Sequence, residues 1–273
     1  MSSNNWSLLG HHKELNLNYF QAFHAAHSYP RHSHDYYVVA VVDRGLQSFS
    51  FATTKFVTPI NGLILLNPGE MHTGEPVNEL GFGYSAFYPT VEHIRTTLQE
   101  LPGSAAIPAF AVPRADDMQM AGAVRSLHAA LRNNESSLEV ESKFLWTLVE
   151  LIRRFGDRKP AEQKIGYEHL AVKKMRRYIE ENYARAISLS ELAEYVHLSR
   201  YYLLHLFRNE TGMPPHTYLE TVRVQQAQRL LAKGQPLPDV AYQVGFGSQS
   251  HFTHRFKKII GITPGEYAKQ LKQ

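Results

Sequence analysis

The fold of the C-terminal half is decided by the stretch DVAYQVGFGSQSHFTHRFKKIIGITP, residues 239–264, because an earlier stretch repeats its pattern. The earlier copy is ELAEYVHLSRYYLLHLFRNETGMPP, residues 191–215. Nine positions match in type, and one extra residue, Gly247, changes the offset between the copies from 48 to 49 residues. The pairs are Ala193/Ala241, Val196/Val244, Leu198/Phe246, Ser199/Ser248, Leu203/Phe252, Phe207/Phe256, Arg208/Lys257, Gly212/Gly261 and Pro215/Pro264. Such a repeat predicts two copies of one supersecondary unit.

Each copy is typical of a helix, a short turn and a second helix. In the first copy, we predict that Ser190 caps a helix ending at Val196 and that Ser199 caps a helix over 200–208, before Gly212. The second copy gives helices over 239–244 and 249–259 with Ser248 as a cap, and a helix over 218–231 joins the copies. Two helix-turn-helix units can place two helices in successive segments of the DNA major groove, about 34 Å apart. The alternative is a helical bundle that contacts other proteins.

The outward faces of the second helices carry side chains suited to DNA. Gln pairs with adenine, Ser, Thr and His reach several base edges, and apolar groups contact the thymine methyl. With Leu203, Leu206, Phe207, Phe252 and Phe256 assigned to the core, the predicted base contacts are Tyr201, Leu204, His205, Gln249, Ser250, Thr253 and His254. Contacts to the DNA phosphates position a protein without reading the base sequence. The residues predicted to make them are Arg200, Arg208, Arg255, Lys257 and Lys258. For any one of these residues, a solvated surface position is the alternative.

The segment 168–273 resembles the DNA-binding domain of the AraC/XylS family of bacterial transcription regulators. The second copy carries the family signature in the run 241–246, followed by Ser248, Phe252, Phe256, Lys257, Gly261, Thr263, Pro264 and Tyr267. The first copy matches at Leu192, Ala193, Leu198, Ser199, Leu203, Phe207, Gly212 and Pro215. The resemblance implies the base contacts predicted above, although His254 stands where relatives often have Arg.

Charge divides the chain of 273 residues into unlike halves. Residues 1–160 contain 13 Lys and Arg against 15 Asp and Glu, a net charge of −2. Residues 161–273 contain 16 against 10, a net charge of +6. A basic module joined to a slightly acidic one suggests a polyanion-binding domain and a partner domain with a different task.

Composition excludes several classes of protein. The sequence has no Cys, which excludes a disulfide scaffold, a thiolate metal site and a cysteine nucleophile, and which suits a reducing compartment. No apolar run approaches the ~18 residues of a membrane span. The first 15 residues lack the basic start and apolar stretch of a signal peptide. We therefore expect a cytoplasmic protein without a membrane partner.

The N-terminal half has a β pattern followed by a helical one. Runs 36–42, 46–52, 63–66 and 82–87 are β-branched, aromatic or alternating, and turn residues separate them. Short strands at this spacing favour a sandwich or barrel. Apolar residues then recur at helical spacing over 118–131 and 138–155, and a polar linker follows.

Histidines mark two places in the β region, His32-Ser33-His34 before the run at 36 and His72 after Asn67-Pro68-Gly69-Glu70-Met71. Roughly residues 25–90 resemble the cupin-like sensor domain common in AraC-type regulators. In cupin barrels, His-x-His and a later Pro-Gly…His meet inside the barrel. The resemblance therefore implies that these side chains come together.

Three uses of this cluster are open. The first is a pocket for an unidentified small-molecule effector, lined by Arg31, His32, His34, Tyr36, Phe49, Glu70, His72 and Tyr84, which requires no cofactor. The second is a divalent metal site, Zn²⁺, Fe²⁺ or Ni²⁺, on His32, His34, Glu70 and His72. Against a metal, Tyr37 and Val38 stand where a metal cupin places its carboxylate. The third is that the histidines are structural or exposed.

Together these patterns predict an α+β chain with two domains. A cupin-like β-barrel with two packing helices spans 1–156, a linker spans 157–167, and an all-α domain with tandem helix-turn-helix units spans 168–273. The resemblance implies a transcription activator rather than an enzyme. Its expected partners are promoter DNA, RNA polymerase, a small effector and a second copy of the chain, paired through helices in 118–155. The alternative function is a metal-dependent cupin enzyme fused to a DNA-binding module.

Overall fold

The computed structural model describes residues 5–103, 106–158, 160 and 169–271. The contacts divide the chain into two compact units. One comprises Met1–Glu135 and Lys143–Gln163, and the other comprises Ser136–Ser142 and Lys164–Gln273. Most of the predicted linker, 157–167, lies outside the described residues.

The N-terminal unit is built on two antiparallel sheets. One sheet has six strands in the order β1-β2-β9-β4-β7-β10, and the other has four in the order β3-β8-β5-β6. The strands are β1 (Trp6–His12), β2 (Leu17–His24), β3 (Tyr29–His32), β4 (Val38–Gly45), β5 (Gln47–Phe51), β6 (Thr54–Thr58), β7 (Gly62–Leu66), β8 (His72–Pro76), β9 (Phe82–Tyr88) and β10 (Arg114–Asp116). The predicted strand-rich fold is confirmed, and the four predicted strands correspond to β4, β5, β7 and β9. The strands β1, β2, β3, β6, β8 and β10 were not predicted from the sequence.

The core of this unit lies on both faces of the larger sheet. β4 and β7 pair with each other, and β4 from Val39 to Val42 and all of β7 are apolar and buried, so both faces of the sheet are covered there. On the inner face, a cluster joins the larger sheet to Phe49 of β5 in the smaller one, and its members are Ala40, Val42, Phe49, Ile64, Leu66 and Ala86. A helix covers the outer face against β4, β7 and β9.

That covering helix is α2 (Met118–Arg132), which follows α1 (Val91–Gln99) and precedes α3 (Ser137–Phe155). The Asp117 carboxylate begins α2 by accepting a hydrogen bond from the Met120 N–H at 2.9 Å. Both helices predicted over 118–131 and 138–155 are confirmed. The apolar residues of α3 that seemed more than a small sheet could cover are buried within the chain: Leu138, Leu145, Leu148, Leu151 and Ile152.

The C-terminal unit contains helices α4 (His169–Asn182), α5 (Leu189–Val196), α6 (Arg200–Thr211), α7 (Pro215–Ala232), α8 (Leu237–Gln243), α9 (Gln249–Ile260) and α10 (Pro264–Gln270). The two predicted helix-turn-helix units are α5–α6 and α8–α9. Ser199 and Ser248 cap the second helix of each unit as predicted, and Gly212 and Gly261 end them in the left-handed conformation. The cap of α5 is Ser188 rather than Ser190, because α5 begins two residues earlier than predicted. Among the residues described above, no helix combines the length and the apolar character needed to cross a membrane.

Candidate functional sites

A cavity of about 280 Å³ lies between the two sheets of the N-terminal unit. Its floor is apolar and comes from strands of both sheets, since alternate residues of β4, β5 and β7 point inward. Histidine and tyrosine side chains supply most of the polar wall. The lining residues are Leu9, Phe20, Tyr29, His32, His34, Tyr36, Val38, Ala40, Gln47, Phe49, Ile64, Leu66, His72, Thr73, Gly74, Tyr84 and Tyr88.

The backbone brings three histidines of this wall together. His32 of β3 and His72 of β8 are partners across the antiparallel pair, so their side chains leave the sheet side by side. The Gly69 N–H donates to the His34 carbonyl at 2.7 Å, which ties the second histidine of the His-x-His pair to the turn before β8. As a result, one ring nitrogen from each of His32, His34 and His72 lies within 4.8 Å of the other two.

Hydrogen bonds orient the rings of His32 and His72, and burial affects the pKa of His34 and of His72. The Nδ1 atoms of His32 and His72 lie 2.7 Å and 2.9 Å from the carbonyl oxygens of Pro30 and Glu70. Burial lowers the pKa of His34 to about 4, and the nearby His32 and His72 add to this shift. Burial also lowers the pKa of His72. Near neutral pH, His34 and His72 are therefore uncharged.

Tyrosine hydroxyls form a second polar group in the cavity. The Tyr29 hydroxyl lies 3.1 Å from the Tyr84 hydroxyl and 2.7 Å from Nε2 of His24. Burial raises the pKa of Tyr84 and of Tyr88, so both phenols keep their protons. Protonated phenols next to an apolar floor can hold the polar end of a small ligand.

Two residues predicted for this site lie elsewhere. Arg31 is exposed and does not line the cavity. Glu70 lies in the turn before β8, where its carboxylate accepts hydrogen bonds from the N–H and the Nδ2 of Asn67 at 2.8 Å and 3.0 Å. That turn needs the carboxylate to hold the Asn67 backbone, and this contact directs it away from the three histidines. The other predicted residues, His32, His34, Tyr36, Phe49, His72 and Tyr84, all line the cavity.

The sequence reading missed Tyr29, Tyr88 and the aliphatic floor of the cavity. The inward alternation of Val38 and Ala40 with their neighbours in β4 was a usable signal for the floor. Tyr29 had no such signal, because β3 is four residues long and bends before its pairing with β8 is complete.

A second candidate site is the outer face of α9. Gln249, Ser250, His254 and Lys257 are exposed, Thr253 is half-buried, and all five border one shallow concave surface. Lys258 is also exposed. The structure thus places the predicted base-contact residues of this helix on one face, with cations toward its C-terminal end.

The equivalent face of α6 differs from the prediction. Tyr201 and Leu204, expected to face outward, are buried, with 1% and 3% of their surface exposed. The physical reason is that α4, α5 and α7 all pack against α6. The buried apolar face of α6 is therefore wider than the single face of a helix that packs on one side only. His205 and Arg200 are half-buried, and Arg208 is exposed. In this conformation, base contacts from α6 can therefore come from His205 but not from Tyr201 or Leu204.

Arg255 of α9 is also not where it was predicted. Its side chain is 10% exposed, and its guanidinium lies 2.9 Å from a carboxylate oxygen of Glu139 and 2.9 Å from one of Glu220. Glu139 belongs to the short segment Ser136–Ser142 that clusters with the C-terminal unit. Because the Arg255 guanidinium is buried and paired with two carboxylates, it does not face a DNA phosphate. The predicted phosphate contact from Arg255 is therefore wrong for this structure.

Comparison with known proteins gives two family matches. The family described as AraC-like ligand binding domain matches residues 16–148, and the family described as helix-turn-helix domain matches residues 192–270. The first match covers the cavity with its three histidines, and the second covers both helix-turn-helix units. Each match thus falls on a part of the chain whose geometry suits its description.

Two curated regulators also align with this chain. The chain is 30% identical over 230 residues to the uncharacterized HTH-type transcriptional regulator YbfI of Bacillus subtilis, an alignment that covers 82% of this chain and 81% of that protein. It is 28% identical over 109 residues to the transcriptional regulatory protein HptR of Staphylococcus aureus, covering 40% of this chain and 43% of that protein. A solved structure, the C-terminal domain of the response regulator yesN from Fusobacterium nucleatum, is 35% identical, with a TM-score of 0.35 over 36% of this chain and 98% of that one.

Proposed function

Because this chain belongs to the AraC family of transcription regulators, with a ligand-binding N-terminal domain and a DNA-binding C-terminal domain, we propose that a small effector controls its action at promoters. The observation that carries the proposal is the cavity of about 280 Å³ with its apolar floor and its wall of histidines and tyrosines. A few convergent polar groups beside an apolar surface are typical of small-molecule sites. The volume suits an effector smaller than a typical drug-sized ligand.

The effector acts by differential binding. A ligand changes promoter occupancy or activation only if it binds one conformation of the chain more tightly than another. The two helix-turn-helix units then select the promoter site through base contacts, of which Gln249 and His254 on the exposed face of α9 are the clearest candidates. We propose activation as the outcome, through a contact between the bound regulator and RNA polymerase in the bacterial cytoplasm.

We further propose that the regulator works as a homodimer. The leucines of α3 that suggested an interface are buried, so they belong to the core. The exposed face of α2 suits a dimer interface better, since Met118, Gly122, Ser126 and Ala129 on this face carry no charge and three of them are small. A side chain at Gly122 would meet no neighbouring atom within 4 Å, so Gly122→Arg should preserve the fold and abolish pairing. Light scattering on the full chain checks this, and an unchanged dimer would rule out the α2 face.

The cavity is proposed to bind its ligand without transforming it. The described residues that line it include no Asp, Glu, Lys or Arg, so a general acid or base would have to come from the histidines and tyrosines themselves. A fused metalloenzyme would need the imidazoles to do that work in addition to holding the metal. The binding function needs no such double role.

A filled cavity tests the effector function. Val38 is half-buried in the cavity wall, and Val57 is exposed on β6 outside it, so Val38→Trp and Val57→Trp form a matched pair. We expect native mass spectrometry to find a small molecule on the wild-type chain and on Val57→Trp but not on Val38→Trp. Promoter occupancy, measured by chromatin immunoprecipitation, should stop responding to growth conditions only in Val38→Trp. Identical ligand content and identical responses in both variants would refute the effector function.

A further inference from the structure

We propose that His32, His34 and His72 bind one divalent transition-metal ion, whose remaining coordination positions bind the oxygen donors of an anionic effector. The inference rests on the effector function proposed above, because it assigns a chemistry to the same cavity. It concerns a site of three histidines, without Glu70, which lies in the turn before β8.

The three rings are brought together by the backbone. The β3–β8 pairing sets His32 beside His72, and the hydrogen bond from Gly69 to the His34 carbonyl fixes the third residue near them. The ring centroids of His32 and His72 are 4.4 Å apart, and those of His32 and His34 are 4.7 Å apart. His34 also stacks on Tyr36 with an interplanar angle of 15°. Rings held by sheet pairing and stacking have little freedom left to lose when a metal binds.

The hydrogen bonds that His32 and His72 make through Nδ1 leave Nε2 of each ring available to bind a metal. A carbonyl oxygen can only accept, so the Nδ1 atoms of His32 and His72 must donate to Pro30 and Glu70. In a neutral ring the Nε2 atom then carries a lone pair and no proton. This is the arrangement found around metal-ligating histidines, whose second nitrogen donates to a carbonyl or a carboxylate.

The donor set selects the class of metal. Imidazole nitrogens suit Zn²⁺, Cu²⁺, Ni²⁺ and Fe²⁺, whereas Mg²⁺ and Ca²⁺ prefer oxygen ligands. Sites with three protein ligands keep a position for water or another ligand. Two nitrogens that share one ion at about 2.1 Å are at most about 4.2 Å apart, and ring nitrogens that already lie within 4.8 Å of one another reach this with at most a small shift.

The charge of the cavity favours an anionic effector on the metal. No Lys or Arg occurs among the described residues that line the cavity, so a buried carboxylate would have no compensating charge from the protein. A bound dication would supply that charge and would be the largest one in the site. The apolar floor, which includes Phe49, Ile64 and Leu66, would then cover the rest of the effector.

Cobalt titration of the full-length chain tests the proposal. After treatment with a chelator, wild-type chain should bind one Co²⁺ with visible absorption bands of a low-coordinate nitrogen site, and azide should shift these bands by occupying an open position. His72→Ala should lower the Co²⁺ affinity on the order of 100-fold. The matched control is His11→Gln, because His11 is an exposed histidine of β1 that lies outside the cluster, and its affinity should equal that of wild type.

Further measurements separate metal loss from misfolding and from failure of the effector function. His34→Asn is the second variant, and circular dichroism of both metal-free variants verifies that they fold. Equal Co²⁺ binding by wild type, His72→Ala and His34→Asn, or no saturable binding by wild type, would overturn the metal site, whatever the promoter response. Co²⁺ bands that ignore azide would overturn the open position. Tight, histidine-dependent Co²⁺ binding with a promoter response to no small molecule would instead overturn the effector function and leave the metal site in place.

Discussion

The two helix-turn-helix units have the same plan but offer DNA different surfaces. In both units a serine caps the second helix and a left-handed glycine ends it. At the position of Leu204 in α6, buried at 3% exposure, α9 has the half-buried Thr253, and at the position of the buried Tyr201 it has the exposed Ser250. The repeat therefore preserves what a fold needs and varies what a surface does, and in this conformation α9 presents more polar groups than α6.

The largest expected effect is a loss of stability at a core position where the two helix-turn-helix units differ. Arg255 of α9 occupies the place of the buried Leu206 in α6, and Arg255→Leu makes the copies alike there. Because the change leaves Glu139 and Glu220 without their cation, we expect the unfolding free energy to fall by about 3–5 kcal/mol. Urea unfolding followed by circular dichroism measures it. The control Lys257→Leu lies on the exposed face and should change stability by less than about 0.5 kcal/mol; equal losses in the two variants would show that the buried ion pair contributes nothing.

The next effect compares Leu204 with Thr253 directly. Leu204→Ala removes a buried side chain and should cost about 2–5 kcal/mol of stability. Thr253→Ala should leave the unfolding midpoint nearly unchanged and instead relax sequence preference at one base pair. Urea unfolding and binding to a panel of single-substitution operators separate the two results. If Leu204→Ala kept its stability and lost sequence preference, α6 would present to DNA the face that the structure buries.

A third effect concerns the turn inside each unit. His197 and Gly245 are equivalent residues, and both adopt positive φ, 57° and 87°. A Cβ at Gly245 would lie 2.7 Å from the Ala184 carbonyl oxygen, so Gly245→Ala should cost the left-handed penalty of about 1–2 kcal/mol plus the clash. His197→Gly should change stability by less than about 1 kcal/mol, because relief of that penalty is offset by the greater flexibility of glycine in the unfolded chain. Thermal unfolding of both variants checks the contrast, and a harmless Gly245→Ala would show that the second turn tolerates a side chain as the first does.

The smallest effects separate base readers from phosphate partners on α9. Gln249→Ala should cost roughly 1–3 kcal/mol on the specific operator and almost nothing on random DNA. Lys257→Gln should weaken binding to both DNAs alike and reduce the slope of log affinity against log salt by about 0.9. Fluorescence anisotropy at several salt concentrations measures both. Equal losses on specific and random DNA for Gln249→Ala would mean that the register assigned to α9 is wrong.

Much of the fold could be predicted because its signals are local. Ser199 and Ser248 indicate where α6 and α9 begin, because serine is a favoured N-cap residue. The strands β4, β5, β7 and β9 follow from residue type and turn spacing. Capping also explains the shifted start of α5, since Ser188 and Ser190 are both capable caps and only the packing of Leu189 against its neighbours favours the earlier one. The edge strand β1 gave no clear pattern, because most of its residues are exposed, including the apolar Trp6, Leu8 and Leu9.

The candidate sites were predicted only in part, because some of their residues are positioned by contacts that local sequence does not reveal. The resemblance to the cupin-like sensor domain implied that His32, His34 and His72 come together, but the position of Glu70 depends on a hydrogen bond to Asn67 that no sequence motif reveals. Arg255 looked like a phosphate ligand because Arg usually is one on such a helix. Its actual partners, Glu139 and Glu220, are 116 and 35 residues away along the chain.

By itself, the sequence determined the two-part organisation, the tandem repeat, the family and the histidines of the cavity. The organisation and the repeat follow from periodicity, capping and composition, and the family and the histidines follow from the resemblance of local motifs; all of these are properties of neighbouring residues. Only the tertiary structure decided which face of α6 is buried, that Arg255 is enclosed by carboxylates, and which side chains enclose the cavity. Those outcomes depend on packing between segments distant in sequence, where burial and charge compensation are settled by all the neighbours together.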